Sequence, residues 1–357
     1  MSKNAQIAPS PYYLSDQLSL HRSMRPRDMI KLCYQAAFGA EHLLGDLAAA
    51  EAYFEREFAT AEEIQPLYER ISPDCCRVNL SAWKARGLPP AWLFRLFAES
   101  AAGMTGSQET FERLLRDADA LCATGRTPFS PGDWAAALEA HRRDGGAVRH
   151  SEAYRAAERP AYRLVNTAFI RLFPLLERMA QLRRAPEAGG VCVVALDGRA
   201  ASGKTTMAGQ LALITGAGVV HMDDFFLPEA LRTQARLAEP GGNVDYERFA
   251  EEVLPRLARS EAFSYRCFDC ARMDFNQTRD IGASSWRVVE GAYSSHPCFG
   301  DYADIRAFCD IAPEEQLRRI TLRNGPEKAR VFAERWIPME ERYLAGFKIA
   351  QKADLIL

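Results

Sequence analysis

From residue 26 to residue 184 apolar side chains recur at three- and four-residue spacing, and no run of strict alternation interrupts them. That period puts them along one face of successive helices, so the pattern predicts a helical half. Met29, Ile30, Cys33, Ala36 and Ala37 open it, with Pro26 where a first-turn proline is tolerated. Leu93, Leu96 and Phe97 predict another helix, and Phe111, Leu114, Leu115 and Ala118 a third. Glycine and proline clusters at 87–90, 103–106, 131–132 and 145–146 predict the loops between them. A last helix is expected over 161–184, carrying Leu164, Val165, Phe169, Leu172, Leu176 and Met179 on one face and kinked at Pro174.

At 183–190 the composition changes to a linker, and Val191 to Leu196 follow as a continuous apolar run of strand length. Absence of alternation suits a strand covered on both faces, as in a parallel sheet. Further strands are expected at 218–222, 263–268, 287–289, 305–311 and 353–357, with helical patterns between most of them. The expected architecture is an all-α domain over 1–187 followed by an α/β domain over 188–357, a parallel sheet flanked by helices.

Composition narrows the function classes. The 357 residues are 48% apolar and 26% charged with a net charge of -2, which describes a folded globular chain. Near-balanced charge provides no general pull toward nucleic acid or an anionic membrane, so neither is an expected partner. Residues 1–11 lack the order of a signal peptide, and no apolar run approaches the roughly 18 residues of a membrane span, so a cytoplasmic protein is expected. Nine scattered cysteines predict free thiols, and the Cys267–Cys270 pair has no second pair with which to hold zinc. A homo-oligomer is left open.

Gly198-Arg199-Ala200-Ala201-Ser202-Gly203-Lys204-Thr205 fits GxxxxGK[ST] directly between an expected strand and an expected helix. Such a loop turns backbone amides inward to meet phosphate, and the helix N-terminus adds a favourable dipole. Gly198, Ala200, Ala201, Ser202, Gly203, Lys204, Thr205 and Thr206 are therefore the expected nucleotide-binding residues. Lys204 is assigned to the β- and γ-phosphates of ATP and Thr205 to Mg2+.

Other strand ends add carboxylates. His221-Met222-Asp223-Asp224 ends one expected strand and Val288-Val289-Glu290 another, and the carboxyl ends of neighbouring parallel strands face one crevice. A carboxylate there can take a proton from a substrate hydroxyl or bind the metal, which makes Asp223 or Asp224 the candidate base and Glu290 a second metal residue. The segment 313–325 predicts a short helix on which Arg319 and Arg323 share a face and can close on transferring phosphate. His42, His141 and His150 show no metal or nucleophile spacing and are expected at the surface or in hydrogen bonds. Segment 150–163, though rich in arginine, is read as a solvated face.

In order and spacing, these motifs resemble the uridine kinase family: Asp197 through Thr206, Met222 through Pro228, Asn243-Val244-Asp245, Val289-Glu290-Gly291, the arginine helix, Trp336 through Tyr343, and Ala353 through Ile356. The resemblance covers about 190–357 and departs from the family at Asp224 and Phe226. It implies a P-loop kinase with a five-stranded parallel sheet and a lid, moving the γ-phosphate of ATP to a nucleoside hydroxyl. It also implies Asp223 as general base, Arg319 and Arg323 as lid residues, and Phe268-Asp269 as a pair holding the nucleoside, with Asp224 beside the substrate. The resulting expectation is an ATP- and Mg2+-dependent kinase acting on a hydroxyl of a nucleoside or similar small molecule. The alternative is a nucleotide-gated regulatory or scaffold protein whose helical half binds a partner.

Overall fold

The computed structural model describes residues 11–40, 46–62, 66–145, 148–184, 190–270 and 272–357. His42, the first ten residues and the middle of the expected linker, 185–189, lie outside the described residues. The chain divides into two compact units, Met1–Ile170 and Arg171–Leu357.

In the first unit the expected helices form: Pro26–Phe38, Pro90–Gly103 and Gln108–Ala123 bury the apolar positions that predicted them, except that Ala37 is half-buried. Ser107 and Ser130 accept from Thr110 and Asp133 amides, satisfying donors that a helix start leaves free. The unit is not all-α, however. Strands β1 (Tyr68–Arg70), β2 (Cys75–Asn79) and β3 (Tyr162–Asn166) pair antiparallel in the order β1-β2-β3. They escape the sequence pattern because β1 has three residues and every position of β2 is buried, which removes alternation. The helix expected over 161–184 is in fact β3, a 3-10 turn at Thr167–Leu172 and helix α1 (Phe173–Arg184). Pro174 therefore sits in a first turn, where its missing N–H costs nothing, and kinks no helix. The segment 150–163 is a solvated face only in part: Arg155 and Arg159 are exposed, but His150, Tyr154 and Arg163 are buried.

Helix α1 packs within the second unit, so the division falls at 170/171 and not at 187/188. Arg171 donates to the carbonyls of Ser202 (2.8 Å) and Leu357 (2.8 Å), and Arg183 donates to Gly190 and lies over the Trp286 ring. These are bonds to the α/β sheet and its loops.

That sheet contains β4 (Cys192–Gly198), β5 (Gly218–His221), β8 (Trp286–Glu290), β9 (Ile305–Cys309) and β10 (Leu355–Ile356), all parallel in the order β10-β9-β4-β8-β5. Every residue of β4 and β8 is buried, as continuous apolar runs require. Helix α2 (Lys204–Thr215) follows β4. The strand expected at 263–268 forms but joins no parallel sheet: β6 (Phe263–Asp269) pairs antiparallel with β7 (Asp274–Ile281) as a separate hairpin. Helix α3 (Pro313–Asn324) begins at Pro313 and stops at Gly325, as its flanking residues predict. Beyond it a π turn at Phe332–Trp336 leads into α4 (Ile337–Phe347). Among the described residues no helix is long and apolar enough to cross a membrane.

Candidate active site

Register places the chemistry. Leu196 of β4 and His221 of β5 both pair with Glu290 of β8, so three adjacent strands end level with one another. The loops leaving them carry the P-loop, Asp223 and Gly291, and face one cavity of about 640 Å³. Gly198, at φ 135°, passes so close to β9 that a Cβ would sit 2.1 Å from the Cys309 carbonyl oxygen. No other residue fits there, and the tight turn starts the loop.

Ala200, Ala201, Gly203, Lys204, Thr205 and Thr206 line the cavity, whereas Gly198 and Ser202 shape the loop from behind. Lys204 is buried, and its ammonium donates to the carbonyls of Gly198 (2.7 Å) and Arg199 (2.9 Å). The Ser202 hydroxyl, fully buried, has no hydrogen-bond partner among the described residues. On the other side of the loop, Glu340 of α4 accepts the Ala200 amide with both oxygens at 2.9 Å. Burial, more than the acids Asp197 and Glu341, pushes the Glu340 carboxyl up to about 7.

Glu290 is buried at the end of β8, where it accepts the Thr205 hydroxyl at 3.1 Å and contacts His221 Nδ1 at 2.6 Å. Thr205 and Glu290 thus form the oxygen donor set that a hard cation such as Mg2+ takes. Asp223 lines the cavity and its side chain is open to that space. The protein walls around it and the neighbouring Glu290 and Asp224 raise its pKa, with Lys204 opposing.

The two adjacent aspartates separate completely. Asp224 does not line the cavity: its carboxylate accepts the Tyr265 hydroxyl (2.8 Å) and Arg279 Nε (2.9 Å) of the β6–β7 hairpin. Arg248 holds its carbonyl as well. Asp224 is a structural pin, and the substrate role expected of it is not supported by its position. Phe268 and Asp269 are likewise absent from the cavity wall; Phe268 is buried against Phe275, with ring centroids 5.2 Å apart. The bulge at Cys267/Phe268 turns Phe268 inward, and Cys270 takes the cavity position.

Arg319 and Arg323 of α3 both line the cavity. Arg319 is held by Glu315 (2.7 Å) and donates to the Ala201 carbonyl (3.3 Å), which places it against the P-loop. Sequence reasoning missed Arg232, Asn243, Arg335, Trp336 and Glu340, which share the cavity. Three of these, Asn243, Trp336 and Glu340, lie within the motifs that carry the family resemblance, so a signal existed for them; Arg232 and Arg335 had none.

No family model and no curated protein matches the chain. Solved structures do resemble it, and two of them are kinases by description. One, described as a "Possible Uridine Kinase from Bacillus stearothermophilus", is 22% identical over 52% of this chain and 100% of its own, with a TM-score of 0.39. The other, described as a "putative fructose transport system kinase from Silicibacter sp. TM1040", is 23% identical over 50% of this chain and 96% of its own, with a TM-score of 0.41.

Of the nine cysteines, seven are buried and Cys270 and Cys298 are exposed, all as free thiols. Among the described residues no cluster of three His, Cys, Asp or Glu side chains could hold a metal ion. The Thr205–Glu290 pair is smaller than such a cluster, and Mg2+ keeps several waters and phosphate oxygens among its ligands.

Proposed function

We propose that the second unit is an ATP- and Mg2+-dependent kinase that transfers the γ-phosphoryl group to a hydroxyl of a small molecule. The observation that carries this reading is the meeting of the P-loop, Asp223, Glu290, Arg319 and Arg323 around one cavity. The P-loop amides and Lys204 suit a polyphosphate. Mg2+, when bound beside Thr205 and Glu290, would offset phosphate charge.

Asp223 accepts the proton of the acceptor hydroxyl as its oxygen bonds to the γ-phosphorus. The bond from that phosphorus to the bridging oxygen breaks, and ADP carries the electron pair away. A raised pKa suits Asp223 to this task, since a base nearer neutrality takes a proton more readily. Lys204, Arg319 and Arg323 stabilise the charge spread over the moving group and keep water from it. The nucleoside is the expected acceptor from the motif resemblance, but Phe268 and Asp269 do not support it, so the reading stands on the phosphate chemistry.

The test is ADP release by the full chain with Mg2+, ATP and a panel of nucleosides, sugars, polyols and hydroxy acids. Acceptor-dependent ADP that disappears in Lys204→Ala is the expected outcome. Binding of an ATP analogue without turnover on any acceptor would overturn the reading in favour of a nucleotide-gated scaffold.

A further inference from the structure

The cavity holds more positive charge than phosphoryl transfer uses. Arginines elsewhere in the second unit are mostly paired: Arg199 with Glu341, Arg236 with Glu247, Arg266 with Glu252 and Arg279 with Asp224. Arg232 differs. Its Nε donates to the Leu227 carbonyl at 2.8 Å, and no carboxylate among the described residues pairs with it. Anchored at Nε and within hydrogen-bond reach of the Cys270 thiol, the half-buried guanidinium lines the cavity with no carboxylate to neutralise it. A fixed fork of this kind suits bidentate recognition of phosphate or carboxylate.

Its neighbours in the cavity differ from those of Arg319. Arg319 touches the P-loop, whereas Arg232 shares a wall with Asp223, the Cys270 thiol lying within electrostatic range of both. An anion held by Arg232 would therefore belong to the molecule whose hydroxyl faces Asp223. A second observation points to a ligand on this side. Asn243 is 94% buried and lines the same cavity, yet its Oδ1 has no hydrogen-bond partner among the described residues. Buried amide oxygens are rarely left so, and a ligand hydroxyl would satisfy it.

Resting on the kinase reading above, we infer that the acceptor is an alcohol carrying an anionic group, phosphate or carboxylate, with Arg232 binding the anion and Asn243 accepting from a hydroxyl. Neutral nucleosides and polyols leave Arg232 as a desolvated cation without a counter-ion, so they bind poorly.

The first experiment is calorimetry on the full chain saturated with Mg2+ and the β,γ-imido analogue of ATP, which occupies the γ-phosphate site. Phosphate monoesters of sugars form one titration series and hydroxy acids the other; the series that binds identifies the anion. Arg232→Gln should weaken that binding by roughly 10- to 100-fold, as loss of a charge-assisted pair predicts, and leave analogue affinity within about twofold. Steady-state kinetics should then show a raised KM for the anionic acceptor with an unchanged KM for ATP. Equal anion binding by wild type and Arg232→Gln, or faster turnover of neutral alcohols than of every anionic one, would overturn the inference and leave the kinase reading standing. Failure of the analogue itself to bind would instead count against the kinase reading.

Discussion

The two units treat their buried polar groups in opposite ways. In the first, apart from Trp134 Nε1, the groups satisfy one another: Arg77, 1% exposed, donates to Gln17 (3.0 Å) and Gln35 (2.8 Å) and lies 4.8 Å from the Tyr162 ring centroid. His21 bridges Glu69 (2.8 Å) and Glu158 (3.1 Å), and Asp28 takes the Ser151 hydroxyl and pairs with His150, which also meets the Tyr162 hydroxyl. In the second, polar groups on the cavity wall stay open, among them Asn243 Oδ1 and the Arg232 guanidinium, which has no carboxylate partner among the described residues. A closed network holds a fold together and needs no visitor. An open one in a concave, water-accessible site is where a ligand's groups belong.

The sharpest way to break this contrast is at Asp223. Asp223→Asn should lower kcat by about 10²- to 10⁴-fold, the usual worth of a positioned base, with ATP-analogue affinity changed little. Unchanged turnover would remove Asp223 from that role.

Next in size is the closed network. Arg77→Met strips two glutamine oxygens of a charged donor and should cost about 4 kcal/mol by urea unfolding, while analogue affinity stays within about twofold. A cost under about 1 kcal/mol would mean that the first unit does not depend on the network.

Glu340 adds a pH signature at the border of the open site. Its carboxyl is pushed up to about 7 from an ordinary 4.5, so the folded protein holds a proton that the unfolded chain has released. The resulting stability is fully present below pH 4.5 and is lost as pH rises through about 7, amounting to about 3 kcal/mol. Glu340→Gln should flatten that decline, read as urea midpoints across the window. An unchanged slope would assign the titration elsewhere.

The smallest effect is expected at Asp224. Asp224→Asn weakens the grip of Tyr265 and Arg279 and should cost about 2 kcal/mol of stability, with kcat within about threefold. If it matched Asp223→Asn in kcat, the structural assignment of the pair would be reversed.

Much of the second unit is legible in the sequence because its signals are local. The GxxxxGK[ST] spacing, the unbroken apolar run of β4 and the Pro–Gly limits of α3 each depend on a few adjacent residues, and the structure has each in its expected place. The missed elements lack local periodicity. Strand β7 is exposed at most positions, β2 is buried at all of them, and β1 is a single short segment, so none alternates.

The site divides along the same line. Sequence alone determined that the strand ends would supply a phosphate loop, carboxylates and paired arginines, since residue type and the right-handed order of strand and helix dictate it. Only tertiary structure decided which of Asp223 and Asp224 lines the cavity, because the partner that draws Asp224 away, Arg279, lies 55 residues from it in sequence. It likewise turned Phe268 inward, set Glu340 against Ala200 across 140 residues, and left Arg232 facing the cavity without a counter-ion. Pairing of charges depends on distances through space, and the linear order of residues carries no record of those distances until the chain has folded.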